Sequence, residues 1–145
     1  MISVILTTIF SVVTALYDAR LLRSGRRIDN HSPRFLFRAL AVFLITLVFS
    51  KYKNDRLYNF LMVLLNSSIF YLLFDYILNW SWGKKIFRIG TTAVIDKIWN
   101  ALGGSWPQLI FKVILVLALV FVVVKHTKSK ATKSPKITQS YVGYA

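Results

Sequence analysis

Four stretches of this chain are apolar almost without interruption, and the polar residues lie between or after them. The first is Met1 to Tyr17, which has no charge. The second is Phe35 to Ser50, with Arg38 in its first turn. The third is Leu57 to Trp80 and the fourth is Leu109 to Val124. A membrane-crossing helix needs about 20 apolar residues, range ~17–25. The third run reaches that length unaided. The others reach it once their flanks are counted, because Arg and Lys near a helix end can snorkel. Ala39–Phe49 and Val113–Val124 lack the polar stripe that a soluble helix shows every ~3.6 residues. They are apolar on every face, and a chain of 145 residues cannot hide four such helices from water. The pattern predicts an all-α polytopic membrane bundle with four transmembrane helices, over 1–20, 33–51, 57–80 and 107–125. It would occupy 1–124.

The helix breakers agree. Pro33, Pro107 and Pro135 and all six Gly fall outside the runs, as uninterrupted helices require. Ser32-Pro33 reads as an N-cap followed by the first helical position of the second helix. Met1–Tyr17 has no basic residues before it and no A-x-A cleavage pattern. Arg20, Arg23, Arg26 and Arg27 follow it, which is the pattern of a retained anchor with its N-terminus translocated.

All four Trp lie between the third and fourth runs: Trp80, Trp82, Trp99 and Trp106. Trp suits the headgroup zone, which serves both its apolar ring and its N–H. Within this linker an amphipathic helix is predicted over about 92–102. Thr91-Thr92 caps it, Asp96 favours its positive end, and Gly103-Gly104 stops it. Val94, Ile95, Ile98, Trp99 and Leu102 would share its apolar face, either in the membrane interface or against the bundle. The segment 125–145 has five Lys, no acid and little apolar residue. It is predicted to be a disordered basic tail.

Composition then restricts the chemistry. There is no Cys, hence no disulfide, thiol nucleophile or thiolate metal site. The two His, His31 and His126, lie in different polar segments. No metal-ligand set, catalytic constellation or phosphate-binding Gly loop can be assembled. A non-enzymatic protein without cofactor or metal is expected. Nineteen Lys/Arg against five Asp/Glu give a net charge of +14. Their spread over loops and tail argues against a nucleic-acid footprint and for contact with headgroups. With four spans, residues 20, 23, 26, 27, 34, 38, 84, 85, 88, 97 and 112 give eleven bases on one side. Residues 51, 53, 56, 125, 128, 130, 133 and 136 give eight on the other. The positive-inside rule puts the first side in the cytoplasm and both termini outside. A three-span alternative lays Met1–Tyr17 in the interface and brings the tail inside.

Charged residues inside the runs are the sharpest candidates. Asp75 precedes Trp80 by five residues, about 7 Å of helical rise, and a carboxylate there needs a partner. Arg38 and Lys112 enter from the same side at similar depth, so Asp75 pairs with one of them and Asp18 with whichever is free. Such a set reads either as an ion-pair clamp or as an ion or proton pathway. Asn66, Ser67 and Ser68, midway along the third run, read as polar contacts between helices or as a pore lining in an oligomer. Arg20, Arg23, Arg26, Arg27, Lys125, Lys128, Lys130, Lys133 and Lys136 are candidates for binding anionic lipid or a protein partner. Tyr141, Val142 and Tyr144 offer an apolar anchor for such a partner.

Phe74-Asp75-Tyr76-x-x-Asn79, then Gly83, then Ile89-Gly90-Thr91-Thr92-x-x-x-Asp96-Lys97 resembles a pattern in small uncharacterised membrane proteins of phages and prophages of Bacteroidota. It covers about a quarter of the chain and includes no catalytic signature. The resemblance implies a phage-encoded integral membrane protein, in a bacterial inner membrane or a phage membrane. The resemblance supplies no biochemical role. A small chain with several spans and a basic tail fits three: a structural or anchoring protein, which in a phage setting would be a virion or assembly membrane protein; a holin-like oligomeric pore; or an accessory subunit of a transporter complex. The lack of Gly and of GxxxG in every run counts against a closely packed pore.

Overall fold

In a computed structural model the structure describes residues 2–25, 31–85 and 94–133, without the side chains of 31–33, 94–96, 131 and 133. The described residues form five α-helices. They are α1 (Ile2–Arg23), α2 (His31–Val48), α3 (Arg56–Ser81), α4 (Val94–Ala101) and α5 (Ser105–Lys133).

Their ends follow local chemistry. Asp55 caps α3, its side chain accepting the Tyr58 N–H at 3.0 Å. At the other end Gly83 turns left-handed at φ +76°. Its N–H goes to the Trp80 carbonyl and the Lys84 N–H to that of Asn79. This double closure satisfies the last carbonyls of α3 and suits a residue without Cβ. Gly103 ends α4 in the same way, with Gly104 N–H on the Trp99 carbonyl at 2.8 Å.

Helix α3 is the hub, packing on α1, α2 and α5, and α4 lies on α5. Val4 and three residues of α5, Val116, Leu119 and Val123, pack on a small core of Tyr58, Met62 and Leu65. Phe10 meets Phe70 at 5.8 Å between ring centres. Positions along α1 thus rise with positions along α3, and the two helices run parallel. Arg38 lies over Phe74 and Asn66 bonds Thr46, so α2 runs antiparallel to α3.

The α1–α3 contact rests on small residues. Ser3, Thr7, Ser11, Ala15 and Ala19 are buried on α1 at every fourth position, one face of the helix. Small side chains let backbones approach closely, as between membrane helices. The chain has this device without glycine.

Among the described residues three helices, α1, α3 and α5, are long and apolar enough to cross a membrane. Four were expected, and α2 is not among the three. Helix α2 has 18 residues, the first three of them outside the described side chains, and Arg34 and Arg38 interrupt its apolar run near the start. It also starts at His31 rather than after a Ser32 cap, leaving Pro33 in the first turn, where its missing N–H costs nothing. A second correction concerns the tail, since α5 remains helical to Lys133. Residues 134–145, with Lys136 and the Tyr141–Tyr144 anchor, lie outside the described residues. So do Arg26, Arg27 and the Thr91-Thr92 cap.

Candidate functional site

The charged residues gather at the two ends of the bundle. At one end α1 and α3 finish while α2 and α5 begin. Asp18 on α1 receives Arg38 at 2.5 Å and Arg34 at 3.4 Å, both from α2. Asp75 on α3 receives Lys112 of α5 at 2.5 Å. Of the two partners open to Asp75, the fold provides Lys112, and Arg38 goes to Asp18. The pairs adjoin through aromatic rings. Arg38 sits 4.4 Å over Phe74, and the Lys112 ammonium sits 3.7 Å over Tyr71. Spacing explains the selection. Phe74 and Asp75 are neighbours in sequence, so they point about 100° apart on the helix. One faces α2 and the other α5.

Burial differs between partners. The Lys112 side chain is 4% exposed and that of Asp75 is 35% exposed. The ammonium is therefore the group removed from solvent, held by a carboxylate nearer the surface. Both pairs join different helices, so each opposes separation of the two it joins.

Trp80 and Trp106 at this end are exposed, and Trp99 packs on Phe111 at 5.4 Å. Lys84 lies 5.1 Å over Trp82. Ile98 and Leu102 of the α4 segment stay exposed, so its apolar face is not closed against the bundle. Val94, Ile95 and Asp96 lie outside the described side chains.

The opposite end holds a site that the sequence reading did not find. Asp55 accepts from Lys130 at 2.7 Å and contacts His126 at 2.8 Å. His126 stacks near Tyr58. Lys130, the His126 ring and the Tyr58 N–H together hold the Asp55 carboxyl well below the usual carboxylate range. This contact accounts for the helical 125–133 segment, whose bases lack an acid nearby in sequence. Lys125 and Lys128 remain exposed on it, as do Arg20 and Arg23 at the end of α1.

Midway, Asn66 is fully buried and donates through Nδ2 to the Thr46 hydroxyl at 2.8 Å. Thr46 donates in turn to the Val42 carbonyl. Ser67 is exposed, and Ser68 bonds back to Leu64 on its own helix. Of the three candidates for polar contact between helices, Asn66 fills the role and the two serines are placed elsewhere. Among the described residues, no three His, Asp or Glu side chains come together as metal ligands would.

No protein-family model, curated protein or solved structure matches the chain. The arrangement itself must carry any functional reading.

Proposed function

We propose that this chain is a multi-pass integral membrane protein with a non-enzymatic, structural or anchoring role. One observation carries the reading: the fold is inside out relative to a water-soluble bundle. Its fully buried side chains include Ser3, Thr7, Ser11, Thr46 and Asn66, while Ile5, Phe43, Phe60, Ile114, Leu117 and Phe121 are exposed. In water that distribution would leave apolar faces far larger than soluble monomers carry. In a bilayer it is favourable, because apolar groups face lipid and small polar residues between helices let them pack closely.

In this reading α2 lies in the same layer as its neighbours. Parallel helices α1 and α3 need a return path between them, and α2 runs alongside α3 from the level of Phe74 to that of Asn66, with Ser50 just beyond it reaching Asn59. The ion pairs clamp helix order at the interface. The basic ends then hold the bundle between two headgroup layers and remain available to anionic lipid or a protein partner. The phage resemblance would make this a virion or assembly membrane protein.

Induced expression in bacteria, followed by carbonate extraction of membranes, tests the role. Stable accumulation in the carbonate-resistant fraction without lysis is expected. Abrupt loss of membrane integrity at a fixed time would overturn the structural role in favour of a holin-like pore.

A further inference from the structure

The two arginines that open α2 are unequally engaged. Asp18, 5% exposed, takes Arg38 at 2.5 Å, and Arg38 is itself only 16% exposed. Arg34 reaches the other oxygen at 3.4 Å, close to the limit of a useful hydrogen bond, and is 38% exposed. Among the described residues, one carboxylate against two guanidiniums leaves a positive charge over, and geometry puts it on Arg34.

Beside these groups lies a groove of about 500 Å³ between α1 and α2. Val13, Thr14, Tyr17 and Phe37 form the rest of its lining. Val13, Tyr17 and Phe37 are also exposed on the outer surface. The groove therefore opens sideways on the apolar face of the bundle, with its charged groups at the end where the Trp residues cluster. Its volume lies in the ~300–1,000 Å³ range of small-molecule sites.

We infer that this groove holds one anionic phospholipid, with its phosphate on Arg34 and an acyl chain along Val13, Tyr17 and Phe37. Charge and shape select this occupant together. A zwitterionic lipid brings a cation that Arg34 repels. A free inorganic anion satisfies Arg34 but gains nothing from the apolar wall. A planar guanidinium matches two phosphate oxygens at once. The inference rests on the membrane reading above and narrows it from general headgroup attraction to one built site, at a residue outside the basic clusters of loop and tail.

The test is native mass spectrometry of the full chain, purified in mild detergent and incubated with phosphatidylglycerol, phosphatidylcholine or inorganic phosphate. The wild type is expected to retain one phosphatidylglycerol in preference to phosphatidylcholine. Arg34→Gln should weaken that retention about tenfold, the scale of one charge-assisted hydrogen-bonded contact. Val13→Trp should weaken it comparably by filling the groove while leaving both arginines in place, so loss of the Arg34 contact to Asp18 cannot explain both results. Lys53→Gln, at the opposite end, should leave retention unchanged. Equal losses from Lys53→Gln and Arg34→Gln, no preference for the anionic lipid, or full displacement by millimolar phosphate would each overturn the site. Carbonate release of the wild-type chain from membranes would overturn the membrane reading and this site with it. Carbonate resistance combined with retention independent of Arg34 would overturn the groove alone.

Discussion

Asp75 and Lys112 are unequal partners, and that inequality predicts an unequal response to mutation. Asp75→Asn removes the carboxylate and leaves an ammonium that is 4% exposed. The Tyr71 ring, 3.7 Å away, offsets about 2 kcal/mol of its desolvation. Breaking a buried pair from the side that strands a charge costs about 3–5 kcal/mol, and the ring brings the expectation to the lower end, about 3 kcal/mol. Lys112→Met removes the stranded charge and keeps most of the stem's packing. Asp75, 35% exposed, can then recruit water or headgroups, so the cost should be about 1 kcal/mol or less. The difference of about 2 kcal/mol is roughly thirtyfold in the unfolding equilibrium. Denaturant titration of each variant in mixed micelles, followed by Trp fluorescence, measures both. The double variant should return close to Lys112→Met alone, since no buried charge is left without its partner. Equal costs for the two single variants, or a double variant as unstable as Asp75→Asn, would refute the assignment of Lys112 as the desolvated group.

Three further outcomes follow from the packing. Ser11→Leu should overpack the α1–α3 contact by about 1–3 kcal/mol, while Ser11→Ala should cost under about 1 kcal/mol, both read in the same titration. Thr46→Val, which strands the Asn66 amide N–H, should cost about 1–2 kcal/mol, and a neutral result would show that Asn66 re-partners. Asp55→Asn should loosen the last turns of α5, seen as increased mobility of a spin label at Thr132→Cys, a clean site because the chain has no Cys. Since the folded Asp55 carboxyl sits below its unfolded value, its contribution is complete above the unfolded pKa, near 4. It is lost as pH falls through the lower folded value. The wild-type label should therefore stay immobile down to about pH 4, and release above pH 5 would count against this linkage.

Much of this was legible in the sequence because it is periodic or local. Uninterrupted apolar runs gave α1, α3 and α5, and Gly103-Gly104 marked the end of α4. The depth of Arg38, Asp75 and Lys112 limited Asp75 to two partners. Choosing between them required knowing which face of α3 meets which neighbour, and that is a tertiary fact. The small-residue stripe was also in plain view. Ser3, Thr7 and Ser11 read as interruptions in an apolar run, yet their spacing of four puts them on one face with Ala15 and Ala19. The length of α5 was not legible. Lys near a helix C-terminus is favourable, but the acid that holds this end of α5, Asp55, lies 71 residues from His126 along the chain.

The charge excess takes on a different meaning once the acids are placed. Asp18, Asp55 and Asp75 each accept bases from a neighbouring helix: α2 for Asp18, α5 for Asp55 and Asp75. Acid is the scarce species, and these three carboxylates act as staples between helices rather than as counter-charge for the whole protein. One acid can hold two bases, as Asp18 and Asp55 do. In the proposed membrane role, Arg20, Arg23, Lys125 and Lys128, exposed at opposite ends of the bundle, would meet anionic headgroups, each for about 1 kcal/mol near a charged surface. A bundle stapled by few acids and edged by many bases resists both helix separation and movement along the membrane normal. That pairing of roles is what an anchor requires. It also explains why neutralising an exposed lysine should matter far less to the fold than removing any one of these aspartates.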